Sequence, residues 1–284
     1  MKKIIVFGGA GQLGSALVKK LSSNFKVYGV DRTQELNADI TDFDSVTKVY
    51  EQVKPEIVIN CAAYSNADLC EVEKEKAYKT NFIGNRNILT LAKKHHSSFV
   101  FISSYFVFDG RKREYDEVDF PTPLNYYGIT KALSEVDTLV YPKSLVIRSS
   151  KIFSLGFDTR NFIARLYASL KDNKEFVAVN DQSNNPIHAD LMAETIEALI
   201  LKNKFGIFNV GGEDYLSNYE LARRFAEHFG LKSSLITPSS TDKYCENARR
   251  PKDVRLMLNK IRTLSIKTYN LDEMFSHMKK WMKK

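Results

Sequence analysis

The chain has 284 residues, 43% hydrophobic and 27% charged, with thirteen glycines and seven prolines; these proportions exclude collagenous and largely disordered chains. Its length fits one large domain, or a main domain with a smaller one grown onto it, and it can bury a sizeable core without disulfides or metals. The formal charge of +8 is confined: residues 241–284 hold twelve Lys/Arg against five Asp/Glu, and the first 240 hold thirty against twenty-nine.

Taken in order, Ile4–Phe7 is a short apolar run followed by a glycine turn and an amphipathic segment, Gln12–Leu21. Lys2-Lys3 before that run resembles a secretory leader, but Gly8-Gly9 and the polar Gln12, Ser15, Lys19 and Lys20 interrupt it too soon. Lys26–Val30 reads as a second strand, Ser45–Val53 as a helix and Glu56–Asn60 as a third strand. Glu71–His95 has helical spacing, Ser98–Ser103 is a buried strand, Asn125–Val140 is helical and Leu145–Ile147 is again a strand. Strands alternating with helices predict an α/β fold, a Rossmann-like doubly wound parallel sheet with ligands at the strand C-terminal ends.

Beyond Ile152 the pattern loosens: Thr159–Leu170 helical, Glu175–Val179 strand, Asp190–Leu201 helical, Ile207–Val210 strand, Asn218–Phe229 helical. The expected organisation is a dinucleotide-binding core over 1–152, with some later segments returning to it. A smaller C-terminal α/β lobe for the substrate, over 153–284, interleaves with that core. No apolar run approaches eighteen residues, so no membrane span is expected. Three cysteines (Cys61, Cys70, Cys245) without a CxxC pair fit a reducing, cytoplasmic setting.

Gly8, Gly11 and Gly14 form GxxGxxG between the first strand and the first helix. Glycine permits positive φ and close approach of the backbone to a pyrophosphate, and the helix N-terminus supplies N–H groups for that anion. Asp31, ending the second strand, is placed to bind the adenosine ribose hydroxyls of NAD, while Arg32 beside it favours the extra phosphate of NADP; the choice stays open. Three Tyr–Lys pairs have YxxxK spacing: Tyr50–Lys54, Tyr127–Lys131 and Tyr167–Lys171. Only Tyr127–Lys131 opens a helix after a core strand whose end carries a hydroxyl, Ser104; the other two read as solvent-facing turns. Reduction of a ketone needs hydride on carbon and a proton on oxygen. A phenol near pKa 10 is a poor acid–base group unless an ammonium favours its phenolate, so Lys131 is expected to lower Tyr127 while Ser104 orients the carbonyl.

The ordered segments GGAGQLG (8–14), ADITD (38–42), VINCAAYSNADLCE (58–71), TNFIGNRNIL (80–89), FISSYFVFDG (101–110), PLNYYGITK (123–131), RNF (160–162), DQSNNP (181–186) and ARRP (248–251) resemble the extended short-chain dehydrogenase/reductases, in particular the dTDP-4-dehydrorhamnose reductase family. The resemblance implies Gly8, Gly11, Gln12 and Leu13 at a pyrophosphate and Asp39-Ile40 near adenine. Ala62, Ala63 and Tyr64 would follow the cofactor, with Ser104, Tyr127 and Lys131 as the catalytic set. Tyr105, Asn161, Gln182 and Arg250 would face a nucleotide sugar. The reaction implied is NAD(P)H-dependent reduction of a nucleotide-linked 4-keto-sugar by a monomer or homodimer, without nucleic-acid or membrane partners.

Where that family usually reads Ser-Thr-Asp-Tyr-Val-Phe-Asp-Gly, this chain has Ser103-Ser104-Tyr105-Phe106-Val107-Phe108-Asp109-Gly110, and Lys151 stands where many members carry Trp. Tyr105 and Phe106 remove polar groups that would match sugar hydroxyls. That departure keeps two alternatives in view: a non-catalytic NAD(P)-binding regulatory subunit joined to a partner, as some relatives are, and a nucleotide-sugar epimerase or dehydratase. Of the smaller features, His188 and Asp190 read as structural, Cys61 as small apolar packing, and Phe99, Phe101, Phe106 and Phe108 as buried strand packing.

Overall fold

The computed structural model describes residues 1–155, 161–244 and 247–282, so Arg160, Cys245, Lys283 and Lys284 lie outside the described residues. Six strands, β1 (Lys3–Phe7), β2 (Lys26–Val30), β3 (Ile57–Asn60), β4 (Ser98–Ser104), β5 (Ser144–Ser149) and β6 (Gly206–Val210), form one parallel sheet in the order β6-β5-β4-β3-β1-β2. Alternate residues of each strand enter opposite cores. Ile4 and Val6 join one buried cluster with Leu17, Ile59, Ile147 and Ile196; Ile5 and Phe7 join the other with Val49, Val58, Ile88 and Phe101. A sheet buried on both faces explains why its strands read as continuous apolar runs.

The first face is covered by α1 (Gln12–Leu21), the second by α2 (Phe43–Val53), which Asp42 caps by accepting from the Asp44 and Ser45 N–H groups. The single helix expected over 71–95 is divided. α3 (Ala67–Val72) ends at Glu73, whose backbone leaves the helical region (φ −103°, ψ 53°), a short helix Lys74–Tyr78 follows, and a π turn at Lys79–Ile83 leads into α4 (Gly84–Lys94).

α5 (Tyr126–Leu139) links β4 to β5; α6 (Phe162–Lys171), α7 (Ala189–Leu201), α8 (Asn218–Phe229) and α9 (Leu271–Met282) follow. The residues after Ile152 do not stay apart from the main sheet: β6 is its edge strand and α7 packs on α1. Conversely, Arg113–Tyr115, from the polar loop after β4, pairs in parallel with Asp253–Leu256. These two, with Ser183–Asn184 and Leu216–Ser217, make a small second sheet. Tyr105, Val107, Phe108, Tyr115, Val254 and Leu256 form the core beneath it.

Candidate active site

β1 lies between β2 and β3, so successive crossovers leave it in opposite directions and open a crevice at the strand C-terminal ends. Gly8 closes β1 with φ +76°, and a Cβ there would stand 2.6 Å from the Ala62 nitrogen and 2.8 Å from the Cys61 carbonyl carbon. Both the conformation and the close approach exclude a side chain. Gly11 caps α1, whose first turn contains no acid and no side-chain cap. The first intrahelical bond there is Ser15 N–H to Gly11 O at 2.9 Å, leaving the preceding N–H groups and the positive end of the dipole for an anion.

From this turn a groove of about 930 Å3 runs past Asp31, Arg32, Asp39, Ile40, Ala62, Ala63 and Tyr64. That volume lies within the roughly 300–1,000 Å3 of small-molecule and cofactor sites. Asp31 Oδ1 accepts from the Arg32 N–H at 2.7 Å, and Asp39 Oδ1 accepts from both the N–H and hydroxyl of Thr41. Two residues assigned to the cofactor from sequence sit differently. The Leu13 side chain is buried in the core, leaving only its backbone at the helix N-terminus, and Gln12 donates through Nε2 to Ser154 Oγ at 2.9 Å. Cys61, read as packing, lines the groove, and its burial pushes the thiol up to about 12.

Ser104, the last residue of β4, is near enough to Tyr127, in the first turn of α5, for its hydroxyl to act on the phenol. Lys131 follows one turn later on the same helix face, buried, with Nζ 4.2 Å from the Phe101 ring centroid. Burial raises the Tyr127 phenol to about 12, against which the Ser104 hydroxyl acts downward. Lys131 is itself brought down to about 7, by burial first, with Glu135 and Cys61 opposing. Of the other YxxxK pairs, Tyr50 corrects the solvent-facing reading, being buried with its hydroxyl on Ser97 at 2.5 Å. Tyr167 is half-buried, and Lys171 folds over its ring.

The residues expected at a sugar nucleotide divide. Tyr105 is buried, its ring against Phe106 at 4.7 Å between centroids. Phe106, read as strand packing, is instead half-buried, edge-on to Tyr127 at 5.6 Å and 5.9 Å from the Arg250 guanidinium. Asn161 caps α6 through Oδ1 and donates through Nδ2 to the Ser154 carbonyl, so Gln12 and Asn161 meet at Ser154. Gln182 is buried and donates to the Thr241 hydroxyl, and Lys151 donates to Asn218 with its ammonium over Phe162. Much of the basic segment is neutralised locally: Arg250 pairs with Asp68, Lys252 with Asp181, and Arg255 with Glu114.

Sequence reasoning assigned no role to Asn81, Asp68 or Glu71. Asn81, in the π turn, accepts from the Tyr64 N–H at 2.7 Å and donates to the Tyr64 carbonyl and the Thr130 hydroxyl, fixing the groove wall to α5. Asp68 accepts from the Asn247 and Ala248 N–H groups as well as pairing with Arg250. Glu71 accepts from the Tyr126 N–H at 2.7 Å, and the α5 cap Asn125 donates to the Arg249 carbonyl at 2.7 Å. The signal available was their place in the ADLCE and TNFIGN segments, which said that they mattered without saying what they touched.

Residues 1–281 match the family described as the RmlD substrate binding domain. A dTDP-4-dehydrorhamnose reductase from Aggregatibacter actinomycetemcomitans is 32% identical over 276 residues, 92% of each chain. Methionine adenosyltransferase 2 subunit beta from Danio rerio is 27% identical, over 93% of this chain and 85% of its own. Among solved structures, a dTDP-4-dehydrorhamnose reductase from Bacillus anthracis, in complex with NADP, superposes with a TM-score of 0.90. It is 27% identical, and the match covers 100% of this chain and 99% of that one.

Proposed function

Since the chain belongs to the RmlD substrate-binding-domain family, we propose that it is an NAD(P)H-dependent reductase converting dTDP-4-dehydro-L-rhamnose to dTDP-L-rhamnose. The observation that carries this reading is the buried Lys131 one turn after Tyr127, with the Ser104 hydroxyl acting on the phenol, on a helix tied by Asn81 to the wall of a dinucleotide-sized groove.

The groove fits a dinucleotide on three counts: the glycine turn that no Cβ can enter, the uncapped N-terminus of α1, and Asp31 with Arg32 at the far wall. When bound, the cofactor supplies the hydride. Tyr127 donates its phenolic proton to the keto oxygen as negative charge develops there, and Ser104 orients that oxygen by hydrogen bonding. The Lys131 ammonium stabilises the resulting phenolate. Asn161, Arg250 and the Gln182 region hold the nucleotide diphosphate end, with Phe106 against the sugar.

The test is turnover of dTDP-4-dehydro-L-rhamnose with NADPH or NADH deuterated in the transferable position. Stoichiometric oxidation with deuterium at sugar C4 is expected; no oxidation, or product without deuterium, overturns the reading. The apolar Phe106 beside Tyr127, together with a relative named as a subunit, favours one second reading, a cofactor-binding regulatory subunit. Cofactor binding without turnover on any nucleotide sugar would select it, whereas NAD retained through purification would point to an epimerase or dehydratase.

A further inference from the structure

Tyr127, Lys131 and Glu135 follow one another at four-residue intervals on α5, so they form a single row along one helix face. Glu135 is as buried as Lys131, and the reaction described above does not use it. Its Oε1 accepts from the Ser103 hydroxyl at 2.5 Å, and both its oxygens accept from Arg148: Nε at 3.1 and 3.2 Å, Nη2 at 2.9 Å. Arg148, on β5, is itself held by donating through Nη1 to the Glu117 and Asp119 carbonyls. The end of β4 thus meets α5 through the Ser103–Glu135 hydrogen bond, while the next residue, Ser104, acts on the Tyr127 phenol, and Lys131 lies between Tyr127 and Glu135 on the helix.

We propose that Glu135 is a positioning residue for Lys131: Ser103 and Arg148 fix its carboxylate so that the buried ammonium beside Tyr127 remains a cation. The inference rests on the reductase reading for its purpose but not for its physics. An ammonium taken out of water needs a counter-charge. Cys61, which acts on Lys131, and Tyr127, one turn before it, are both pushed up to about 12 and so stay neutral. Phe101 offers only its ring face. Glu135 is the one carboxylate among the groups that favour the charged form, and Arg148 lies on its far side as a competing cation. A buried Arg–Glu pair adds little stability over an apolar pair of the same shape, so stability alone gives weak reason for one in this place.

The direction of the effect follows from the cause. Burial has brought Lys131 down to about 7, so its charge is present below that pH and lost above it, and removing the Glu135 charge moves the loss to lower pH. The experiment is a 13Cε-lysine titration of the free protein by NMR, with the Lys131 signal assigned through Lys131→Met. Relative to wild type, Glu135→Gln lowers the midpoint by on the order of one unit, and Arg148→Met raises it. The double variant Glu135→Gln/Arg148→Met falls between wild type and Glu135→Gln. The alkaline limb of the rate profile with NADPH and the sugar nucleotide moves in the same order, Glu135→Gln losing about tenfold one unit above its new midpoint.

Coincident midpoints in all four proteins overturn the proposal and leave Glu135 a structural partner of Arg148. Should Glu135→Gln fail to fold, the double variant decides: a midpoint below wild type supports the proposal, and an equal one overturns it. Midpoints that move as described in a protein that reduces no nucleotide sugar would support the Glu135 assignment and sink the reductase reading alone.

Discussion

At the cofactor edge, one wall of the groove is built within a few positions of strand ends: Gly8 and Gly11 after β1, Asp31 and Arg32 after β2, Ala62 to Tyr64 after β3. At the sugar edge, the contacts join segments far apart in the chain, Asp68 to Arg250 across 182 residues and Asn125 to Arg249 across 124. The first edge is built largely from backbone conformation, with Asp31 and Arg32 adding side chains that select between cofactors. The second is a set of polar latches, each of which can be released without disturbing the sheet. Cofactor binding and sugar binding should therefore fail separately.

Among the effects on binding, the largest is expected at the cofactor edge. Gly8→Val places a branched side chain at positive φ against the Cys61–Ala62 backbone, strain of about 1–3 kcal/mol or more. Dinucleotide affinity, read by calorimetry on protein whose circular dichroism is unchanged, should fall roughly 100-fold. An unchanged Kd would show that the close approach is not part of the site.

Releasing a latch should do less, and to the other ligand. Asp68→Ala removes the contacts that Asp68 makes with Asn247, Ala248 and Arg250, so KM for the nucleotide sugar rises about tenfold while the NADPH Kd stays within about twofold. If both change together, the two edges are not independent. Within the cofactor edge, Arg32→Ala should weaken NADPH several-fold more than NADH, and Asp31→Ala should do the reverse, because a guanidinium suits a phosphate and a carboxylate suits ribose hydroxyls. Equal losses for both cofactors would remove that pair from adenosine recognition.

How much of this was legible in the sequence follows the same division. Strand–glycine–helix and YxxxK are local patterns, readable because backbone geometry and helix pitch fix what neighbours in sequence can do. The alternation that specified a doubly wound sheet is local too, and it placed β1 to β5 and most helices. What was missed depends on distant partners. Two-residue strands such as Ser183–Asn184 have no periodicity to detect and form only where Asp253–Leu256 and Leu216–Ser217 lie on either side. Tyr50 looked solvent-facing by spacing yet is buried because Ser97 receives its hydroxyl. Phe106 looked like core among four phenylalanines, and only the fold turns it towards Tyr127 and Arg250. Helix 71–95 is divided at Glu73 and widened into a π turn at Lys79–Ile83, where Asn81 binds Tyr64 and Thr130, partners named by no motif.

The smallest effect concerns stability. His188 is buried at the start of α7, where its Nδ1 accepts the Asp190 N–H, and burial lowers it to about 4. Between about 4 and its ordinary 6.5 the unfolded chain binds a proton that the folded one refuses, so stability falls as pH falls through that window. His188→Asn keeps an acceptor for the Asp190 N–H and does not titrate, so its Tm should decline less between pH 6.5 and 4 than that of the wild type. Parallel Tm curves would remove His188 from acid lability.

The central claim is that Tyr127 delivers the proton to the sugar. The direct measurement is steady-state NADPH oxidation with dTDP-4-dehydro-L-rhamnose, comparing wild type with Tyr127→Phe, with NADPH Kd measured on both. The account predicts a kcat loss of about 10²- to 10⁴-fold with NADPH Kd nearly unchanged; equal rates in the two proteins would contradict it.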